Sequence, residues 1–228
     1  MVSTVVEDYL KAIYELQTEY NGARVRTSQI ADYLDVTAPT ATSMFSTLES
    51  HGFVEYEKYS GAVLTADGEQ IALRLVRNHR LLEAYLTAEF GYRLHDVHEE
   101  ADRLEHHISE RLAACLAEEL GDPATDPHGA PIPTSSLDVP ERPQGNRLSA
   151  FDEGETVVVL EVDDREDEVL EYLSSRRILP ETVVSVESVT SFGMVTVSPV
   201  GRDESVPLPE DVARLVRGTS VTDSEQSS

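Results

Sequence analysis

Between Asn78 and His107, in the stretch NHRLLEAYLTAEFGYRLHDVHEEADRLEHH, six potential metal ligands stand at helical spacing. His79 and Glu83 stand four residues apart, so on a helix both leave the same face. His98, Asp102, Glu105 and His106 follow at i, i+4, i+7 and i+8, again on one helical face. Imidazole nitrogen mixed with carboxylate oxygen, without thiolate, suits Mn²⁺, Fe²⁺, Co²⁺, Ni²⁺ or Zn²⁺ rather than Ca²⁺ or a cysteine-rich zinc site. The plainer reading is a solvated polar face, because Asp and Glu mostly line exposed helix surfaces. Spacing by itself leaves both readings open.

The elements that would position these groups must come from a chain of 228 residues, enough for two small domains around a helical middle. No apolar run reaches the length of about 18 residues that a membrane span needs. The start, MVSTVVEDYL, enters a helix directly and lacks the basic-then-apolar layout of a signal peptide. A single cysteine, Cys115, excludes an internal disulfide framework and fits a reducing cytoplasm. The net charge of −25 stands out, and lysine occurs only at Lys11 and Lys58. Such charge opposes a compact fold unless salt screens it, so an acidic, lysine-poor surface points to a halophile with a cytoplasm of very high ionic strength. Residues 1–80 carry 7 basic against 11 acidic groups, the remainder 11 against 32. Whatever binds an anion is therefore expected in the first third.

Val5–Thr18 reads as an amphipathic helix with Val6, Leu10, Ile13 and Tyr14 inward. Then TSQIADYLDVTAPTATSMFSTLESHGFV predicts a helix from Thr27 or Ser28 to Leu34, a tight turn, and a second helix from Pro39 to Ser50 closed by Gly52. Two strands, 53–56 and 62–65, complete a winged helix-turn-helix. One long helix is expected over 66–88 and another over 96–120. The second carries an apolar seam of Val97, Ala101, Leu104, Ile108, Leu112 and Cys115. That seam is either an intrachain core or the homodimer interface that a reader of two DNA half-sites needs. Residues 121–146, rich in Pro, Gly and Ser, read as a linker. Strands are expected at 156–162, 182–189, 194–199 and 204–208, with a helix at 166–174 and PEDVARLV closing a small β-barrel. The final polar stretch, TSVTDSEQSS, reads as a disordered tail.

With these pieces in order the chain resembles the diphtheria toxin repressor family of metal-dependent transcriptional regulators. EDYLKAIYEL, TAPTATSMFSTLESHGFV, NHRLLEAYL, VHEEADRLEHH and DPHGAPIP carry the likeness, which covers nearly the whole chain. The pairing of NHRLLE with VHEEADRLEHH is highly specific; a helix-turn-helix alone is not. The resemblance implies an α+β protein in which an N-terminal winged helix-turn-helix spans 1–75. A helical metal-binding and dimerisation domain at 76–120 and the linker at 121–146 would follow. An SH3-like (FeoA-like) small β-barrel would occupy 147–217, and a tail 218–228. It implies a repressor of metal-uptake genes that binds double-stranded promoter DNA as a homodimer, with Mn²⁺ or alternatively Fe²⁺ as cofactor and other divalent transition metals able to bind. Residue by residue, His79, Glu83 and His98 match an ancillary metal site that can take a further carboxylate, Glu166 or its rival Glu168; Val169 stands where some members present a glutamine. Asp8, Asp102, Glu105 and His106 match the primary site. Iron-type members carry methionine and cysteine at the Asp8 and Asp102 positions, so two carboxylates there shift the preference toward hard Mn²⁺. Short manganese regulators carry a glutamate where Lys11 stands, a departure that argues against their two-metal cluster.

The same resemblance places Thr37, Pro39, Thr40 and Ser43 at the start of the recognition helix, facing the major groove, where hydroxyls and a proline can meet phosphates, bases and a thymine methyl. Helix capping alone would also account for them. Positions where relatives often carry arginine hold Thr27, Thr47, Ser50 and Ser60; Arg24, Arg26 and Lys58 remain for phosphate contacts. Among other functions, a metallohydrolase is disfavoured because HEEAD at 98–102 lacks the second histidine of the zincin motif. Cys115, on an apolar seam without an evident base, reads as a core cysteine. A metal-binding protein without a DNA role leaves the helix-turn-helix unused. The expectation is therefore a regulator, not an enzyme.

Overall fold

Val6, Leu10, Ile13 and Leu16 recur every three or four residues and form the buried face of the first helix, α1 (Thr4–Glu19). In this computed structural model, which describes residues 2–142, 144–164, 166–202 and 204–221, that face packs in one core with Ile30, Ala41, Phe45, Leu48 and Val54. These come from α2 (Thr27–Tyr33), α3 (Ala38–Ser50) and the strand β1 (Val54–Glu57), which pairs antiparallel with β2 (Gly61–Leu64). The order is helix, helix–turn–helix, hairpin, as expected. Thr37 caps α3, accepting from the Thr40 amide, and Pro39 occupies its second position rather than its first. Pro39 has no N–H to leave unsatisfied there.

Two compact units divide the chain. The first comprises Met1–His79, Asp102–Cys115 and Pro133–Val139; the second comprises Arg80–Ala101, Leu116–Ile132 and Pro140–Ser228. Three helices run through the middle of the sequence: α4 (Ala66–Phe90), α5 (Leu94–Leu104) and α6 (Glu110–Glu119). The single helix expected over 96–120 is thus two. Glu105, His106 and His107 form a turn, and Ser109 starts α6 afresh, its Oγ accepting from the Leu112 amide at 3.2 Å. Of the apolar seam, Val97 and Ala101 are buried while Leu112 is 45% exposed. Cys115 is also exposed, so its reading as a core cysteine is corrected.

The second unit contains a six-stranded antiparallel sheet. Its strands are β3 (Asn146–Arg147), β4 (Thr156–Val162), β5 (Val183–Val189), β6 (Val195–Pro199), β7 (Val206–Leu208) and β8 (Val216–Ser220), ordered β3-β8-β4-β5-β6-β7. Alternate residues Val157, Val159, Val184, Val186, Val195 and Val197 face its core, with Leu170 and Leu173 of α7 (Asp167–Ser175) and Ala213 of α8 (Glu210–Leu215). Bulges interrupt β4 after Val159 and β5 after Val186, where each strand bends. This is the SH3-like architecture expected. The tail expected from 218 is corrected at its start: 216–220 form an inner strand between β3 and β4. Gly218 explains why the stretch does not read as one, since a Cβ there would lie 2.4 Å from Val157 Cγ1 and 2.7 Å from Val158 O. Residues 222–228 of the expected tail lie outside the described residues.

Candidate metal centre

Three ligand atoms converge in the first unit, one each from Asp8, Glu105 and His106, all within 4.8 Å of one another. Asp8 leaves the second turn of α1, whereas Glu105 and His106 lie in the turn after α5. That turn is held by Asn78 of α4, whose Nδ2 donates to the Glu105 carbonyl at 3.0 Å. His106 reaches α1 with both ring nitrogens, Nδ1 at 2.8 Å from Glu7 and Nε2 at 2.9 Å from Asp8. Burial raises the Asp8 carboxyl above its ordinary value, and the nearby Glu105 charge pushes the same way while His106 opposes both. One imidazole and two carboxylates at this spacing fit a divalent ion of the Mn²⁺–Zn²⁺ series, which small side-chain rotations would let them share.

Asp102 is not in that triad. Its Oδ1 lies 3.1 Å from His79 Nδ1 and 3.0 Å from Lys11 Nζ, and Glu105 Oε2 lies 2.7 Å from both of the same partners. His79, Asp102 and Glu105 therefore make a second triad, sharing Glu105 with the first. Lys11 is partly buried among them; burial disfavours its charge, but Glu105 and the other nearby carboxylates outweigh this and raise its pKa.

In the second unit, His98 Nδ1 stands 3.2 Å from Glu83 Oε1 and 3.6 Å from Asp164 Oδ2. Glu83 and His98, grouped by the family resemblance rather than by spacing, thus lie side by side from two different helices. The third group is Asp164, just past β4, whereas Glu166 is exposed at the start of α7 and Glu168 is exposed on it. His79 precedes Glu83 by one turn of α4. His128 was not foreseen: fully buried, it lies with Nε2 3.6 Å from Glu83 Oε1. Neither of its ring nitrogens has a hydrogen-bond partner among the described residues. Burial disfavours its charge, but Glu83 and the neighbouring carboxylates push it up to about 9. Asp126, desolvated beside Glu83, is pushed up to about 7. Arg80 meets Asp126 at 3.5 Å and donates to the Pro131 carbonyl at 2.6 Å. The available signal was DPHGAPIP itself. Its Asp126 accepts from the amides of His128 and Ala130, and Gly129 passes so close to Leu160 O that a Cβ would lie 2.0 Å away.

Of the residues expected to meet DNA, Thr37, Pro39, Thr40 and Ser43 are all exposed along the start of α3. Thr37 also serves as the cap, its hydroxyl 2.8 Å from that of Thr40. Lys58 extends over the exposed Tyr59 ring at the hairpin tip, and Arg26 is exposed before α2. Arg24, half-buried, donates to the carbonyls of Glu55 and Gly61 and lies beside the Glu55 and Glu57 carboxylates, and so braces the hairpin.

Residues 1–62 match the family model of the iron dependent repressor N-terminal DNA binding domain. Residues 65–134 match its metal binding and dimerisation domain, and 146–219 the FeoA domain. The chain is 31% identical to the iron-dependent repressor IdeR of Mycobacterium tuberculosis, over 92% of this chain and 95% of that one. It is 32% identical to the diphtheria toxin repressor of Corynebacterium efficiens, over 92% and 93%. A solved manganese-dependent transcriptional repressor in complex with manganese superposes with a TM-score of 0.86 at 35% identity, covering 95% of this chain and all of that one. No helix among the described residues is long and apolar enough to cross a membrane.

Proposed function

The chain belongs to the iron-dependent repressor family of metal-dependent transcriptional regulators, which are not enzymes, and from that premise we propose a Mn²⁺-activated repressor of metal-uptake genes. It would bind promoter DNA as a homodimer in the cytoplasm, with Fe²⁺ as the alternative corepressor. The observation that carries this reading is the convergence of Asp8 with Glu105 and His106. It joins α1, part of the DNA-binding core, to the turn that follows α5. A bound divalent cation supplies the positive charge that lets Asp8 and Glu105 stay together ionised. Asp8 shares α1 with Val6, Leu10 and Ile13, which pack in the same core as Phe45 and Leu48 of α3. Holding Asp8 to the turn therefore favours one placement of the reading helix over others.

A second position is proposed at Glu83, His98 and Asp164, with His79 added from the sequence motif and Asp164 in the role first given to Glu166. The oxygen-rich ligands favour Mn²⁺ and Fe²⁺ for function, while Zn²⁺, which prefers four-coordinate geometry, would hold the set less productively. Thr37, Pro39, Thr40 and Ser43 would enter the major groove, with Arg26 and Lys58 on phosphates. The test is an anaerobic DNA-binding titration at high salt with buffered Mn²⁺, Fe²⁺ and Zn²⁺. Activation at lower free Mn²⁺ than Zn²⁺ is expected. Metal bound without any gain in DNA affinity would leave a metal-binding protein and sink the reading.

A further inference from the structure

Tyr59 stands at the tip of the β1–β2 hairpin, 91% exposed and with φ at +72°. The Ser60 amide donates to the Glu57 carbonyl at 3.0 Å, so Tyr59 fills the turn position where positive φ calls for glycine or asparagine. A bulky side chain is strained there, and a ring so exposed gains little packing within the chain in return. The stem, by contrast, is held firmly. Val25 and Ala62 exchange both backbone hydrogen bonds, at 2.8 and 2.9 Å, and Gly61 lies so close that a Cβ would stand 2.3 Å from Val25 O. The Phe45 ring of α3 meets Tyr56 of β1 with centroids 5.4 Å apart, so the hairpin and the reading helix share one support.

The bridge at Val25 sets Arg24 and Arg26 beside the hairpin, and Lys58 Nζ lies 5.1 Å from the centre of the Tyr59 ring. Three of the seven basic groups in residues 1–80 thus gather here. Glu55 and Glu57 stand against Arg24, at 3.8 and 3.9 Å, which leaves the tip to Tyr59, Ser60 and the Lys58 ammonium. A ring beside an ammonium fits a partner with an apolar face next to an anion, as deoxyribose lies next to phosphate. We propose that the Tyr59 ring packs on the deoxyribose of the DNA backbone flanking the groove that α3 enters, with Lys58 on the adjacent phosphate. The inference rests on the reading of the chain as a DNA-binding regulator. To that reading it adds a sequence-independent contact that salt screens little, because apolar burial drives it.

The test uses the full-length chain with Mn²⁺ and a duplex that it selects from a random-sequence pool, read by fluorescence anisotropy over a potassium chloride series. Tyr59→Gly and Tyr59→Asn both suit the positive φ. They should melt at or above the parent's temperature, yet bind at least about tenfold more weakly at every salt concentration. Tyr59→Phe keeps the ring and should bind as the parent does. Lys58→Ala should instead flatten the dependence of log affinity on log salt by about one per bound chain; an unchanged slope overturns the role of Lys58. Parental affinity in both Tyr59→Gly and Tyr59→Asn overturns the inference, as does a Tyr59→Phe variant as weak as they are. Lowered melting temperatures in both would make the ring part of the chain's own packing, and overturn it too. So would a loss of self-association in sedimentation without DNA, which would give the ring to a second copy. A parent that retains no duplex overturns the regulator reading, and this inference with it.

Discussion

Glu105 is the residue common to both ligand triads, so its loss should exceed that of any other group in them. It is 2% exposed and touches Lys11, His79 and the turn bearing His106. Glu105→Ala is expected to raise the Mn²⁺ concentration for half-maximal DNA binding at least a hundredfold, since about 1.4 kcal/mol corresponds to each factor of ten. Asp102, half-exposed and directed to Lys11, should cost no more than about tenfold when replaced by alanine. Equal losses in the two variants, read by fluorescence anisotropy of labelled operator DNA over buffered Mn²⁺, would place Asp102 back with Asp8. Regular helical spacing makes the two look alike, because i, i+4, i+7 and i+8 assume one helix throughout. The chain leaves the helix at Glu105, and that departure separates Asp102 from His106 and Asp8 while leaving it beside Glu105. The grouping of Glu83 with His98 followed from the family resemblance and not from spacing, because the two stand on different helices; Asp164 and His128 were not legible, because they come from loops whose path depends on long-range packing.

Breaks of this kind are where the elements departed from expectation. The helices, hairpin and four of the six sheet strands were legible, since each repeats its apolar residues at a period of 3.6 or 2. The break before α6 had one local sign, Ser109 followed by Glu110, outweighed by the apolar periodicity on either side. Ser109→Ala should remove the cap and cost about 1 kcal/mol, read as a lower midpoint in urea with an unchanged slope. An unchanged midpoint would mean that α6 is held by packing alone. Strand β8 was hidden for a different reason: VRGTS is polar and carries a glycine, yet it sits between two strands where close backbone approach leaves no room for a Cβ. Gly218→Ala should therefore destabilise the sheet by about 2 kcal/mol or more, through overpacking against Val157 and Val158. Thermal unfolding followed by circular dichroism measures this, and a variant as stable as the parent would contradict the close approach.

At the scale of the whole molecule, the exposed end of the apolar seam and the net charge act together. Leu112, 45% exposed, and Cys115, also exposed, leave an apolar strip on α6 of the single chain, the feature a homodimer interface would cover. Leu112→Glu should then yield monomers in sedimentation velocity at micromolar concentration. Each chain carries −25, so pairing brings two strongly like-charged bodies together. The Debye length falls from about 10 Å at 0.1 M salt to about 3 Å at 1 M. Repulsion between chains is largely screened over that range, while burial of Leu112 and its neighbours is not weakened by salt. Association should accordingly tighten as potassium chloride rises from about 0.2 M to about 2 M. Ordinary DNA binding behaves the opposite way, losing affinity as released counterions gain less entropy. Few basic groups lie near α3 and the hairpin, with Arg24 tied to Glu55 and Gly61, so the DNA loss should be shallow and the tighter dimer should offset it. The two effects separate by experiment: sedimentation equilibrium without DNA gives the salt dependence of pairing, and anisotropy with saturating Mn²⁺ gives that of operator binding. A dimer that dissociates as salt is added would show that pairing rests on ion pairs rather than on the apolar strip of α6.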